Sequence, residues 1–270
     1  MYLTPFTSLS WAYELHYNLC FRTHLRHLIP TENIQTVNDL MTEICQRHNY
    51  HLLGCEPHAD HVRSLISLQP SQSVAKTAQI IKTNSSRELP LTKPVWARGY
   101  WARSVGRRRI DAVRQYLEQQ AAHHGYASRV LPPVFRFRAS QPVELRSAHA
   151  WFELDHHLVL ATRYRKGVFT SSVGKDLTEY WLEVAKAREF AIDQISVVPD
   201  HIHLIVRIVP RMSIEECALL LMNNGQYFVG KKYPQLYVEN GIEQLWEPSA
   251  YAGTCGDFTT ALIKSWLRSD

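Results

Sequence analysis

The sequence predicts an α+β protein in which one unit occurs twice along the chain. Three short segments of the first half recur in the same order in the second half, and each half alternates between strand-like and helix-like patterns. Each copy spans roughly 115–120 residues, which is an ordinary domain size. A strand–helix–strand order with short connections predicts a small sandwich of sheet and helices in each copy.

The repeat rests on residues that match at nearly constant spacing. Glu14 in SWAYELHYNLCFRTHLR matches Glu153 in AWFELDHHLVLATRYRK, 139 residues later. His61 of the first half matches His201 at a spacing of 140, and each follows an aspartate. Trp96 matches Trp246 at a spacing of 150. Matches that keep their order while the spacing drifts by only about ten residues indicate a tandem duplication.

Hydrophobic periodicity places the elements. In the first copy it predicts, in chain order, a strand at 13–23, a helix at 36–49, two strand pieces within 50–70, a helix at 73–89 that Ser73 caps, and a helix at 108–124. In the second copy it predicts helices at 176–191 and 258–269. Prolines, a glycine and scattered serines between the copies predict an extended connector.

Composition limits the function only broadly. The net charge of +5 and the pI near 8.9 slightly favour a polyanionic partner. The five cysteines lie far apart and form no CxxC pair, which favours a reducing compartment. The start of the chain lacks the pattern of a secretion signal, and no apolar run is long enough for a membrane span. We therefore expect a cytoplasmic protein without a membrane partner.

SVVPDHIHLIVRIVP, at 196–210, carries the first candidate site. In a strand, residues i and i+2 point to the same face, so His201 and His203 stand side by side. Two neutral imidazoles can hold one divalent cation, but a third ligand is needed. Two ordinary strand histidines are the alternative interpretation of this pair.

Several motifs in order resemble a known family. PDHIHLIV is similar to the His-hydrophobic-His motif of HUH nucleases, and the preceding HHLVLATRYRKGVF and the later WEPSAYAGT resemble the flanking motifs of one-tyrosine HUH transposases, which move single-stranded DNA. The resemblance implies two tandem ferredoxin-like HUH domains, each an antiparallel sheet packed with helices, arranged as an intramolecular pseudo-dimer. The implied boundaries are 1–121 and 150–270, with a linker at 122–149.

In that family a final helix carries a nucleophilic tyrosine, and a glutamine four residues later is a metal ligand. The first copy has Tyr116 and Gln120 at these positions, but its histidine motif reads His61-Val62-Arg63. A guanidinium stays charged and cannot bind a cation, so that motif is degenerate.

The second copy shows the opposite loss. It keeps His201 and His203, but Trp266 stands where the tyrosine is expected and Asp270 where the glutamine is expected. The resemblance implies the arrangement of that family, whose members are homodimers in which one subunit's tyrosine helix serves the other subunit's metal site. The resemblance therefore implies one composite site across the copies and one dead site, which would combine His61 and Arg63 with Trp266 and Asp270.

The implied reaction is attack of the Tyr116 hydroxyl on single-stranded DNA to form a 5′-phosphotyrosine. His201, His203 and Gln120 would hold Mg²⁺ or Mn²⁺. The expected partner is single-stranded DNA with hairpin-bearing element ends, bound by a monomeric chain. The alternative is a catalytically silent protein of the same fold that binds DNA hairpins. An RNA-binding ferredoxin-like module is a third hypothesis, although no ribonucleoprotein motif is present.

Basic and aromatic side chains supply candidate DNA contacts. The candidate phosphate contacts form two groups. The group that precedes the Tyr116 helix contains Arg98, Arg103, Arg107, Arg108 and Arg109. The group that follows the opening strand of the second copy contains Arg163, Arg165 and Lys166. A solvated charged surface is the alternative for both groups. Candidate stacking residues, for which core packing is the alternative, are Trp96, Tyr100, Trp101 and Tyr251.

Overall fold

The computed structural model describes residues 4–106, 110–119, 132–141 and 143–256, and it describes the side chains of the second range only to residue 115. The elements of the first copy are β1 (Ser10–Glu14), β2 (His16–Arg22), α1 (Ile34–Arg47), β3 (His51–Pro57), β4 (His61–Ser67), α2 (Val74–Glu88), β5 (Tyr100–Val105) and α3 (Ile110–Gln119).

The rest of the described chain contains one strand between the copies and then the elements of the second copy. They are β6 (Phe135–Arg138), β7 (Ala150–Glu153), β8 (Asp155–Thr162), α4 (Ser171–Arg188), β9 (Ala191–Val198), β10 (His201–Arg207), α5 (Ile214–Lys232), α6 (Gln235–Asn240) and β11 (Trp246–Cys255).

These strands form two sheets that exchange their first strands. The second-copy sheet has the order β1-β11-β8-β10-β9-β6, and the first-copy sheet has the order β3-β4-β2-β5-β7. β1 pairs in parallel with β11, and β7 pairs in parallel with β5, whereas the other neighbours are antiparallel. Each copy thus places a strand in the other copy's sheet. The predicted α+β class is confirmed.

This exchange corrects the predicted strand at 13–23. The segment forms two strands, because β1 ends at Glu14 and β2 begins at His16. Leu15 between them is fully buried and lies where the backbone leaves one sheet for the other. A run of β-prone residues cannot indicate that its two ends pair with different sheets, since periodicity reports only which residues share a face.

Matching hydrogen bonds hold the two exchange points. Ser104 Oγ accepts from the Asp155 amide at 3.0 Å, and Thr254 Oγ1, 150 residues after Ser104, accepts from the His16 amide at 3.0 Å. Gly106 lies against the same point, where an added Cβ would stand 1.9 Å from the Thr254 carbonyl oxygen. Only glycine allows this approach of the two backbones.

Tyr17 and His156, which occupy equivalent positions 139 residues apart, meet between the copies. The Tyr17 hydroxyl oxygen lies 2.7 Å from His156 Nε2, and both side chains are buried. Burial lowers the pKa of His156 to about 4 and raises the pKa of Tyr17 above its usual range. The pair is therefore uncharged near neutral pH, and one hydrogen bond joins the phenol to a neutral imidazole.

Helices cover one face of each sheet. α1 and α2 pack on the first-copy sheet, and α4 and α5 pack on the second-copy sheet. Ser73 caps α2 as predicted, because its side chain accepts from the Lys76 amide, and Ser213 forms a capping box at α5. In β10, Ile202 and Leu204 are buried towards these helices. The opposite face therefore receives His201 and its same-face neighbours.

The predicted connector contains β6, a strand at the edge of the second-copy sheet next to β9. Its sequence FRFR alternates between apolar and charged residues, and Phe135 and Phe137 pack against the core. Gly174 of α4 allows this packing, since a Cβ there would lie 3.1 Å from that of Phe135. The predicted boundaries of 1–121, 122–149 and 150–270 stay a prediction. Among the described residues, no helix combines the length and the apolar composition needed to cross a membrane.

Candidate active site

The histidine face is the side of the second-copy sheet that carries His201, His203 and Ile205 of β10. Their pairing partners in β9, which point to the same side, are Val198, Ser196 and Gln194. The ring centroids of His201 and His203 lie 4.8 Å apart. The structure thus brings together the two imidazoles that the sequence pairs.

Asp200 fixes the orientation of His201. Its Oδ1 lies 2.6 Å from His201 Nδ1, and its Oδ2 lies 2.8 Å from the Arg165 guanidinium. Burial raises the pKa of Asp200, but the hydrogen bond from His201 and the charges of His201 and Arg165 outweigh it and hold the pKa below its usual range. An ionised Asp200 favours the His201 tautomer with the proton on Nδ1, and this tautomer presents Nε2 as an electron-pair donor.

His203 has a histidine neighbour on the adjacent strand. His157 Nε2 lies 3.0 Å from His203 Nδ1, and the two rings are stacked with centroids 5.3 Å apart. The ring of Tyr251 on β11 meets His157 edge-on. The sequence analysis did not assign a role to His157. Its only signal is a same-face position on the strand that pairs with β10, and that pairing is a long-range contact.

The donor set fits a cation site that still needs another ligand. His201 and His203 each use Nδ1 for a neighbouring side chain, so Nε2 is the atom through which each ring would bind a metal. In the part of the chain that the structure describes, no group of three His, Cys, Asp or Glu side chains is arranged to hold a metal. Gln120, the third predicted ligand, lies outside the described residues.

α3 of the first copy lies across the histidine face of the second copy. Val113, which is 5% exposed, packs against Ile205 and Cys255, and Ile110 adds to this cluster. Ile205 follows His203 by two residues in β10, so α3 covers the strand immediately beside the histidine pair. Tyr116 belongs to α3, although its side chain lies outside the described residues.

An ion pair fastens α3 to β9. Arg114 Nε lies 2.9 Å from Asp193 Oδ2, and the arginine also reaches Asp111 on its own helix. Both side chains of the main pair are only about one-fifth exposed, at 21% and 19%. Gln194 Nε2 donates to the Arg114 carbonyl at 3.5 Å. Sequence analysis missed Arg114 and Asp193, because no local pattern relates residues 79 positions apart.

Among the described residues, the first-copy sheet has no carboxylate at the position equivalent to Asp193. Leu53 occupies the bulged position of β3 that corresponds to Asp193 in β9, one residue after the Leu52–Ile66 pair and before the Gly54–Leu65 pair. Lys264, at a spacing of 150 from Arg114, stands at the corresponding position of the last segment and lies outside the described residues. The acidic partner thus exists only where the helix carries Tyr116.

The degenerate motif keeps half of the histidine arrangement. His61 Nδ1 lies 2.9 Å from Asp60 Oδ1, as His201 does from Asp200, and the His58 ring stacks on His61. Arg63 replaces the second histidine and lies 3.5 Å from Glu56. A guanidinium at this point cannot act as a ligand. Trp266 and Asp270 lie outside the described residues.

The predicted DNA-contact arginines have different surroundings. Arg163 is held by Glu243 and Glu247, and Arg103 is mostly buried beside Glu153. Arg165 stands next to His201, 3.3 Å from its Nδ1. Arg98 and Lys166 are exposed, whereas Arg107, Arg108 and Arg109 lie outside the described residues. Arg165 is therefore the predicted contact that the structure brings to the histidine pair.

The candidate stacking aromatics also differ in their exposure. Trp96, Tyr100 and Trp101 are buried, and Trp96 Nε1 donates to the Ser85 hydroxyl. Tyr251 is 38% exposed beside His157. Core packing accounts for the first three residues, and Tyr251 alone of the four presents part of its ring at the histidine face.

A family model matches both halves of this chain, and individual relatives match about half of it. The model of the IS200-like transposase family matches residues 11–120 and again residues 150–270. The ISDra2 transposase TnpA of Deinococcus radiodurans is 26% identical over 129 residues, which cover 47% of this chain and 92% of that protein. The transposase for insertion sequence element IS200 of Salmonella typhimurium is 22% identical over 121 residues, which cover 45% of this chain and 79% of that protein.

A crystal structure described as a transposase from Deinococcus radiodurans is 24% identical, covers 46% of this chain and 95% of its own, and superposes with a TM-score of 0.38. Each of these relatives corresponds to about half of this chain, whereas the family model matches both halves. The predicted resemblance is confirmed. Since the two matched segments make up most of the sequence, the chain belongs to the IS200-like transposase family.

Proposed function

We propose that the chain is a single-stranded DNA transposase with one composite active site, built from the histidine face of the second copy and the tyrosine helix of the first. The observation that carries this proposal is the position of α3, which packs on Ile205 beside His203. α3, the helix that carries Tyr116, would thus supply the nucleophile that the second copy lacks. The resulting single chain acts as a pseudo-dimer.

His201 and His203 would hold a divalent metal through their Nε2 atoms, with Gln120 as the third protein ligand. A bound Mg²⁺ or Mn²⁺ would polarise the scissile phosphate and offset the charge that develops on it. Asp200 keeps His201 in the tautomer and orientation that binding requires, and His157 performs a similar orienting role for His203. Arg165, which is exposed beside His201, can pair with a DNA phosphate.

Tyr116 would be the nucleophile. Its hydroxyl oxygen forms a bond to the phosphorus of the DNA backbone, and the bond from phosphorus to the 3′ oxygen breaks. The tyrosine proton is lost, and the departing oxygen takes up a proton to become a 3′-hydroxyl. Attack of another strand's 3′-hydroxyl on the 5′-phosphotyrosine reverses these bond changes and joins DNA, which completes strand transfer.

The other combination of half-sites would be inactive. Arg63 stands at the position of a metal ligand, and Trp266 offers no nucleophilic oxygen. The substitutions in both copies fall on the same composite site and leave its counterpart with a complete set of residues. This distribution supports one working site per chain.

The proposal is tested by incubating the protein with single-stranded hairpin DNA and Mn²⁺ and resolving covalent adducts on a denaturing gel. We expect an adduct with the natural sequence, none with Tyr116→Phe, and an undiminished amount with the control Tyr227→Phe, which changes an exposed tyrosine on α5. An adduct that persists in Tyr116→Phe would refute the assignment of the nucleophile. DNA binding without any adduct would favour the catalytically silent hairpin-binding protein.

A further inference from the structure

We propose that β6, the strand between the two copies, is a phosphate-binding rim that guides single-stranded DNA across the histidine face. Its ligand is the sugar–phosphate backbone of DNA, and Arg136 and Arg138 are the residues that bind it. This inference rests on the proposed function and assigns a role to a segment that otherwise only joins the copies.

Strand register places both arginines on the histidine face. Arg136 pairs with Ser196, and Ser196 pairs on its other side with His203, so the three residues form one row across the sheet. Directly paired residues point to the same side of a sheet. Arg138 pairs with Gln194, which pairs with Ile205, and this second row leads to the residue on which α3 packs.

The distance suits a neighbouring nucleotide. Adjacent strands are separated by about 4.8 Å, so the Arg136 backbone lies roughly 10 Å from that of His203, two strands away. A DNA strand advances at least about 3.4 Å per nucleotide, the rise along the axis of a double helix, so this interval corresponds to at most about three nucleotides. A strand cleaved next to His203 would therefore meet the two guanidiniums a few nucleotides from the scissile phosphate.

The apolar and the charged residues that alternate along β6 have different roles. Phe135 and Phe137 pack against the core and anchor the strand, whereas Arg136 and Arg138 are exposed on the other side. Arginine matches phosphate oxygens in a bidentate geometry and carries its charge at every physiological pH. An anchored edge strand holds such groups in place at a lower entropic cost than a loop.

The rim belongs to one sheet only. β6 lies beyond β9 in the second-copy sheet, whereas the first-copy sheet, as described, ends at β3, the strand equivalent to β9. The added strand thus lies at the sheet that keeps both histidines. A connector needed only for its length would not require two arginines on that face.

Binding to single-stranded DNA tests this proposal without cleavage. Fluorescence anisotropy is measured with labelled oligonucleotides in EDTA, using Tyr116→Phe protein as the reference, over a series of salt concentrations. Removing two phosphate contacts should lower the slope of log affinity against log salt by about 1.4, because each contact on a single strand contributes about 0.7. Arg136→Gln/Arg138→Gln should therefore bind about 10- to 25-fold more weakly at 0.1 M salt.

The matched control is Arg87→Gln/Arg188→Gln, which removes the same charge from exposed positions on α2 and α4, away from the histidine face. It should retain most of the affinity and the slope. Equal losses of DNA affinity in the two double variants, or no loss of affinity in the β6 variant, would refute the phosphate-binding role of β6. In cleavage-competent protein the β6 variant should raise KM and still form adduct at saturating DNA, whereas failure of the proposed function abolishes adduct in every variant.

Discussion

Replacing Asp193 by leucine, the residue at the equivalent position of the first copy, should loosen the helix that carries Tyr116. Asp193 pairs with Arg114 at 2.9 Å, and Arg114 precedes Tyr116 by two residues on α3. The equivalent position, Leu53, has no carboxylate. Asp193→Leu therefore gives the active half of the protein a feature of its degenerate half.

The magnitude follows from the burial of the pair. The two side chains are 21% and 19% exposed, so water screens them less than it screens a surface ion pair. A hydrogen bond between charged groups contributes about 1.5–3 kcal/mol. Losing it should shift the docking equilibrium of α3 roughly 10- to 150-fold towards the undocked state, because 1.4 kcal/mol corresponds to a factor of ten. The contacts of Val113 with Ile205 and Cys255 remain and keep part of the helix docked.

Hydrogen exchange of the α3 backbone amides measures this equilibrium directly, since local opening controls their exchange. We expect these amides to exchange 10- to 150-fold faster in Asp193→Leu, with slower adduct formation and unchanged affinity for DNA. The exchange of a swapped pair, Arg114→Asp with Asp193→Arg, should return towards that of the natural protein. The control Glu88→Leu removes a carboxylate from an exposed arginine pair in the first copy and should leave α3 unaffected. Unchanged α3 exchange in Asp193→Leu would refute the reasoning.

Two further predictions concern Asp200, the partner of a proposed metal ligand, and the contact between the copies. Asp200→Asn should weaken Mn²⁺ binding about 10- to 100-fold in isothermal titration, because changing the partner of a metal ligand commonly has an effect of that size. Asp60→Asn, the equivalent change in the first copy, should leave Mn²⁺ affinity unchanged. Equal losses of affinity in the two variants would contradict the assignment of the metal to the second copy. The pKa of His156 falls from 6.5 to about 4 on burial, so the unfolded chain binds the proton between these pH values while the folded chain does not. The free energy of unfolding should therefore drop by about 3 kcal/mol between pH 7 and 4 on this account. In His156→Phe this pH-dependent loss of about 3 kcal/mol should disappear. Urea unfolding of the natural protein and of His156→Phe at pH 7 and pH 4 measures it. Equal losses of stability in the two proteins would contradict the prediction.

The sequence by itself determined the duplication, the α+β class and the family. Local patterns and spacing indicate the duplication and the class, and His201 and His203 share a face because strands have a period of two. The resemblance to the family indicated Tyr116, which stands in the final helix of the first copy four residues before Gln120. The helices at α1, α2 and α4 were also predictable from periodicity and, for α2, from the cap at Ser73.

Tertiary structure alone decided which parts of the two copies meet. The exchange of β1 and β7, the pair of His157 with His203 and the pair of Arg114 with Asp193 join residues far apart in sequence. No periodicity encodes such contacts, because they depend on which strands pair and which face a helix covers. FRFR at β6 carried a clear period of two, but only the neighbouring strand β9 assigns its arginines to the histidine face. The residues of the candidate site are thus largely visible in the sequence, whereas their assembly from two copies is a property of the packed sheets.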